Sequence, residues 1–128
     1  TEAYNLVMAA FKLPKETAEE IVYRKSQIEE ATIIAIETPY RIAVLSLEAL
    51  KELNYILEYG NKNTLSDLGV SALLLYTALE GALLNVKINI PGLSNQEMID
   101  DYSAKVKTML FDGRELKSDI LELVHSKL

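Results

Sequence analysis

Cysteine is absent from the 128 residues. That excludes a disulfide framework, thiolate zinc sites, iron–sulfur ligation and cysteine nucleophiles. Histidine occurs once, as His125, too few for a His-rich metal site and misplaced for a Ser-His-Asp triad, so no metal is expected. Basic residues are outnumbered 13 to 19, and the net charge is −6. A general nucleic-acid binder needs the opposite balance. The longest apolar stretch, Leu68 to Leu84, is interrupted by Glu80 and small polar residues. It reads as too short and too broken to span a bilayer. No signal peptide opens the chain, so the expected setting is cytoplasmic. There is no Gly-rich phosphate loop, HExxH, GxSxG or Glu-x-x-His motif.

What remains is 49% hydrophobic and 25% charged, the balance of one ordinary globular domain. With three prolines and five glycines, long stretches run unbroken, and their patterning is helical rather than alternating. Tyr4, Val7, Met8 and Phe11 mark one face of a first helix, which Leu13-Pro14 ends, because the residue before proline is pushed out of the helical region. The sequence opens on Thr1, within what already reads as helix. A processed chain and a fragment lacking an N-terminal part both fit that start.

A second segment runs from about Ala18 to Tyr59. Thr17 and Glu20 fit a capping box. Pro39 predicts a kink or a break, and Gly60 closes the helix. A third segment runs from about Ser66 to Asn89, with Ser66 as N-cap and Asp67 as a first-turn carboxylate. It is nearly apolar all round and carries small residues, including Gly69, Ala72 and Gly81. The pattern predicts the most buried helix, covered on several sides. In the fourth segment Ser94 and Glu97 suggest a second capping box. Ile99, Tyr102, Val106, Met109, Gly113, Leu116, Ile120 and Leu123 then form a heptad seam. Phe111-Asp112-Gly113 is the alternative place for a break.

The expected fold is therefore all-α: an up-and-down bundle of long helices in a single domain over residues 1–128. The third segment needs more partners than this chain supplies, which favours a missing helix, dimerisation, or both.

Some polar residues admit two readings. Asn85 and Asn89, one turn apart, can line a polar pocket or cap a helix end. Asp67 can complement the helix dipole or act as an acid or base. Asp67 and Asn85 share a helix face about 27 Å apart along the axis. One small ligand in one subunit cannot touch both, although an antiparallel second copy could bring them together. Lys12 and Lys15 are solvated turn lysines, or ammonium groups aimed at an anion from a rigid corner. His125 reads as surface and Tyr4 as core.

The run Ala3-Tyr4-Asn5-Leu6-Val7-Met8-Ala9-Ala10-Phe11-Lys12-Leu13-Pro14-Lys15 resembles the signature of the cyclodeaminase/cyclohydrolase family. That is the family of formiminotetrahydrofolate cyclodeaminase and of the C-terminal domain of formiminotransferase-cyclodeaminase. Thr38-Pro39-Tyr40-Arg41 resembles the family's proline-containing helix. Gly60-Asn61 with Ser66-Asp67-Leu68-Gly69-Val70, and Gly81 to Asn89, resemble two further stretches in the same order. The family's Gly-rich and Ser/Ala-rich helical region upstream of the first motif has no counterpart in these residues, so an N-terminally truncated version is expected.

The resemblance implies a helical homodimer without metal or cofactor, acting on a tetrahydrofolate derivative in one-carbon metabolism and histidine degradation. The implied reaction is an ammonia-lyase step, closing 5-formiminotetrahydrofolate to 5,10-methenyltetrahydrofolate. Motif position and this chemistry together nominate Asp67 and Lys12 as catalytic. They nominate Tyr4, Asn5, Lys15, Arg41, Asn85 and Asn89 for substrate binding. A methenyltetrahydrofolate cyclohydrolase of the same fold is the alternative, and a non-catalytic helical dimerisation module is a second.

Overall fold

Leu13-Pro14, Gly60-Asn61 and Pro91-Gly92 divide the chain into four α-helices with no strand. These are α1 (Glu2–Phe11), α2 (Ala18–Tyr59), α3 (Leu65–Asn89) and α4 (Gln96–Lys127). The computed structural model describes all 128 residues. Helices α2, α3 and α4 form an up-and-down hairpin bundle, and α1 folds back on α2 alone.

The start of α2 is as expected. The Thr17 hydroxyl accepts from the Glu20 N–H at 3.1 Å, and the Glu20 carboxylate accepts from the Thr17 N–H at 3.2 Å. Two free donors of the first turn are thereby satisfied.

The other two caps differ from expectation. Ser66 lies inside α3, whose N-cap is Thr64. A short 3₁₀ turn, Lys62–Thr64, precedes it, and the Asn61 side chain caps that turn by accepting from Asn63 N–H at 2.9 Å. The N-cap of α4 is Asn95, whose side chain accepts from Met98 N–H at 3.1 Å. Ser94 does not fill the role; its N–H and its hydroxyl both donate to Glu29 of α2 instead. The Glu29 carboxylate accepts from Ser94 N–H at 2.7 Å, Ser94 Oγ at 2.9 Å and Asn95 N–H at 3.2 Å.

This triple acceptance ties the α3–α4 connection to α2. Burial would raise the Glu29 carboxyl. The hydrogen bonds from Ser94 and Asn95, with Lys25 nearby, outweigh burial and hold it below its ordinary value of 4.5. Glu29→Ala should therefore destabilise the chain by about 1.5–3 kcal/mol at neutral pH, the usual scale for hydrogen bonds to a charged group. A depressed carboxyl stabilises fully above its unfolded value, and that contribution is lost as pH falls through the folded value. The gap in melting temperature between wild type and Glu29→Ala should hold above pH 4.5 and shrink below it. A gap independent of pH would show that the charge is irrelevant.

Pro39 does not break α2, which continues through it to Tyr59. The missing donor removes only one backbone hydrogen bond. On either side, Ala35, Ile36 and Ala43 are buried in the core and hold the helix in line. Nor does α4 break at Phe111-Asp112-Gly113. Gly113 is buried against α3, where a Cβ would run into the Leu79 side chain. The glycine weakens the helix locally but lets α3 and α4 approach closely. The α4 seam is buried or half-buried from Ile99 to Ile120, after which Val124 rather than Leu123 turns inward.

Ile36, Leu50, Leu79, Leu83, Val86 and Ile120 are the fully buried large side chains, so half of that set lies on α3. One side of α3 packs on α2 and α4 as expected. The expectation of cover on several sides fails. Leu74 is 66%, Leu84 60% and Ile88 77% exposed, because two neighbouring helices cover only part of a helix's circumference. The reading of this stretch as too short to span a bilayer is also corrected. The helical region Lys62–Gly92 is long and apolar enough to cross a membrane by length and composition, with mean hydropathy 1.4 in its most apolar window. A third of that window is buried in this fold.

Candidate functional site

The first motif builds a corner. α1 stops at Phe11, and the chain turns through Lys12, Leu13, Pro14 and Lys15 before α2 begins. Arg24 of α2 locks this turn. Its Nε and Nη2 donate to the Phe11 carbonyl at 3.3 and 3.1 Å, and its guanidinium lies over the Phe11 ring, 5.5 Å from the centroid. One arginine thus satisfies a carbonyl that the helix end leaves free. Sequence reasoning missed Arg24, although a basic residue nearly two turns into the helix after a capped corner was the available signal.

Between α1 and α2 lies an open groove of about 290 Å³. Ala10 and Ala31, both buried, form its floor. Leu6 from α1 and Leu13 from the corner flank it on one side, Tyr23 and Ile34 from α2 on the other. Its polar lining is Gln27 and Glu30, whose side chains meet at 3.4 Å with the amide donating to the carboxylate. Asn5 and Lys12, seven residues apart, share the α1 stripe beside this groove. Tyr4, Asn5, Lys12 and Lys15 are all exposed. Tyr4 is not core, since α1 has only one helix to pack against.

The other nominated residues are elsewhere. Gly92 lies against Thr32, so α3 runs antiparallel to α2 with Asn85 level with the Pro39–Arg41 turn. Arg41 and Asn85 are exposed there. Asn89 is half-buried, and its amide donates to the Asn85 carbonyl at 2.8 Å. The two asparagines do not form a pocket enclosed by this chain. Asp67 is exposed at the far end of α3 with no side-chain hydrogen bond of its own. The structure therefore places Lys12 and Lys15 at the corner and Tyr4 and Asn5 about two turns back along α1, and separates Asp67 from Asn85 by most of the length of α3.

A second polar cluster joins α2 to α4, and the sequence concealed it. The buried Tyr102 hydroxyl donates to the Glu37 carboxylate. The Tyr102 ring meets Tyr40 edge-on at 5.8 Å. Lys105, paired with Asp101 at 2.8 Å, stands 5.7 and 5.8 Å from the two ring centres. Burial first, then the hydrogen bond and charge of Glu37, push the Tyr102 phenol up to about 12. At neutral pH it is a donor and not a base. Tyr102 reads as an apolar seam position, but a buried phenol needs a partner, and that was the signal for Glu37.

Residues 1–108 match the sequence model of the family described as formiminotransferase-cyclodeaminase. This chain belongs to the formiminotransferase-cyclodeaminase family. It is 34% identical over 127 residues to a methenyltetrahydrofolate cyclohydrolase of Methylorubrum extorquens, covering 99% of this chain and 61% of that protein. It is 29% identical over 127 residues to the formimidoyltransferase-cyclodeaminase of Gallus gallus, covering 99% of this chain and 24% of that one. The chain thus spans less than two thirds of the length of either relative. A solved formiminotetrahydrofolate cyclodeaminase of Thermotoga maritima shares the fold, with a TM-score of 0.64 at 23% identity. That match covers 99% of this chain and 57% of that one.

Proposed function

We propose that this chain supplies the long-helix part of an enzyme that rearranges a one-carbon unit between N5 and N10 of tetrahydrofolate. The observation that carries this is the family match across residues 1–108, which includes the corner motif, Asp67, Asn85 and Asn89. The first reading is cyclisation of 5-formiminotetrahydrofolate. N10 attacks the formimino carbon and loses its proton. The former imino nitrogen takes up two protons in all and leaves as ammonia, and 5,10-methenyltetrahydrofolate remains. Positioning and acid–base groups suffice for this, with no covalent nucleophile. The step calls on neither cysteine, which this chain lacks, nor its one histidine, which is exposed near the end of α4. Folate carries its negative charge on the glutamate tail, which gives Lys12 and Lys15 a use in an acidic protein.

The second reading is methenyltetrahydrofolate cyclohydrolase, favoured by the 34% identity to the bacterial enzyme of that name. Water would then attack the methenyl carbon. Ammonia release from 5-formiminotetrahydrofolate tests the first reading. Decay of methenyltetrahydrofolate absorbance without ammonia tests the second, and inactivity on both in the full-length protein overturns the proposal. Under either reading the enzyme works as a cytoplasmic homodimer without metal or cofactor.

Lys12→Ala should raise KM or lower kcat by about tenfold, the scale of one charge-assisted contact to an anion. Helical circular dichroism should not change, since Lys12 is exposed and packs on nothing in the core. Full activity in this variant would remove Lys12 from the site.

A further inference from the structure

The α1–α2 groove is open and mainly apolar, with a single carboxylate in its lining. Its floor is made of alanine methyls, which keep it shallow and even, and larger apolar side chains flank it. About 290 Å³ is close to the lower limit of small-molecule sites, roughly 300 Å³. It accommodates one bicyclic ring system and not a whole folate. Its only charged lining group is Glu30, which is exposed along the groove and unpaired by any cation. Its contact with Gln27 is long, at 3.4 Å, and uses one of about four acceptor positions on the carboxylate. Gln27 adds a carbonyl acceptor and a second amide hydrogen beside it.

We propose that this groove binds a fused 2-amino-4-oxopyrimidine ring, with Glu30 accepting from the ring N–H and the 2-amino group together. Such an edge presents two parallel donors, which a carboxylate takes as a bidentate pair. Tyr23 and the leucines offer apolar contact to the ring faces. This inference rests on the folate reading and assigns the pterin, rather than the glutamate tail, to the groove. Lys12 and Lys15, at the corner where the groove ends, are left for the tail carboxylates. Guanine shares the same edge, and the test separates the two sources.

The experiment is calorimetric titration of the full-length protein with 5-formyltetrahydrofolate, a stable probe. Glu30→Gln should weaken binding by about 10- to 100-fold, because it replaces a charged bidentate acceptor with one neutral oxygen. A 2-desamino-2-methyl analogue of the probe should bind both proteins within about threefold, since the lost partner group is already gone. Ala9→Phe, which fills the groove from an exposed position, should abolish binding with circular dichroism unchanged. Guanosine, which has the ring edge but no carboxylate tail for Lys12 and Lys15, should compete at least about tenfold more weakly than 5-formyltetrahydrofolate. If the wild type binds the probe and both variants bind it equally well, the groove assignment falls and the folate reading stands. Equal losses for the probe and its desamino analogue overturn the Glu30 pairing. Guanosine that competes as strongly as 5-formyltetrahydrofolate overturns the pterin as occupant. A wild type that binds no folate overturns this inference and the folate reading together.

Discussion

Asp67→Asn is expected to lower kcat by about 10²-fold or more while changing the melting temperature little. The two effects separate because Asp67 has almost no structural task in this chain. It is exposed, makes no side-chain hydrogen bond, and is not the N-cap of α3. Its one structural contribution is complementing the positive end of the helix dipole, which is worth about 0.3–1 kcal/mol. A proton-transfer role is worth more. Removing one costs at least about 10²-fold, or about 2.7 kcal/mol of transition-state stabilisation. Asparagine keeps the size and hydrogen-bonding edge and removes only the ionisable group. Single-turnover kinetics and a thermal melt on the same sample decide the matter. A rate loss under about threefold, with a lower melting temperature, would return Asp67 to the helix start.

The double substitution Leu74→Glu/Leu84→Glu is expected to convert a dimer into a monomer at micromolar concentration. Val70, Leu74, Thr77, Gly81, Leu84 and Ile88 follow one another at steps of four and three, the spacing of a helix–helix seam. In this chain the seam points away from α2 and α4, and its large members are mostly solvent-exposed. Soluble monomers seldom leave a continuous apolar helix face uncovered. A Cβ placed on Gly81 would meet no atom of a neighbouring side chain or helix within 4 Å, so the centre of the face is open to a close approach. Antiparallel pairing about the seam's midpoint sets Leu74 against Leu84. It also brings the Asp67 end of one α3 toward the Asn89 end of the other.

Each leucine buried in such an interface contributes about 1.5–3 kcal/mol. The double variant removes four across the pair, each about a third buried already within its own chain, so about 4 kcal/mol or more is lost, or roughly three orders of magnitude in Kd. The fold of each chain should survive, because neither side chain reaches the core. Sedimentation velocity on both proteins, with circular dichroism as control, is the measurement. A wild type that is monomeric, or a variant that sediments unchanged, overturns the seam. Wild-type flotation with liposomes that the double variant abolishes would assign the face to a bilayer instead.

Local sequence determined where the helices are. Leu13-Pro14, Gly60 and Pro91-Gly92 act within a few residues of themselves, by removing backbone donors or helical conformations, and the observed ends fall beside them. The Thr17–Glu20 box is equally local, and so is the α4 seam, because a three-and-four spacing needs only a helix to become a stripe. The corner motif and the ordered stretches up to Asn89 carried the family for the same reason: they are runs of adjacent residues.

Tertiary structure decided what those helices share. Asn95 rather than Ser94 caps α4, and Ser94 donates to Glu29, sixty-five residues away, a distance that no local rule contains. Tyr102 looks apolar in its heptad until α2 brings Glu37 to its hydroxyl. The α1–α2 groove exists only because the corner folds α1 back on α2, where Arg24 bonds to the last carbonyl of α1. The apolarity of α3 was plain in the sequence, but which side would be covered was not. Hydrophobicity measures the free energy available from burial, while the number and placement of neighbouring helices decide which surface is actually removed from water.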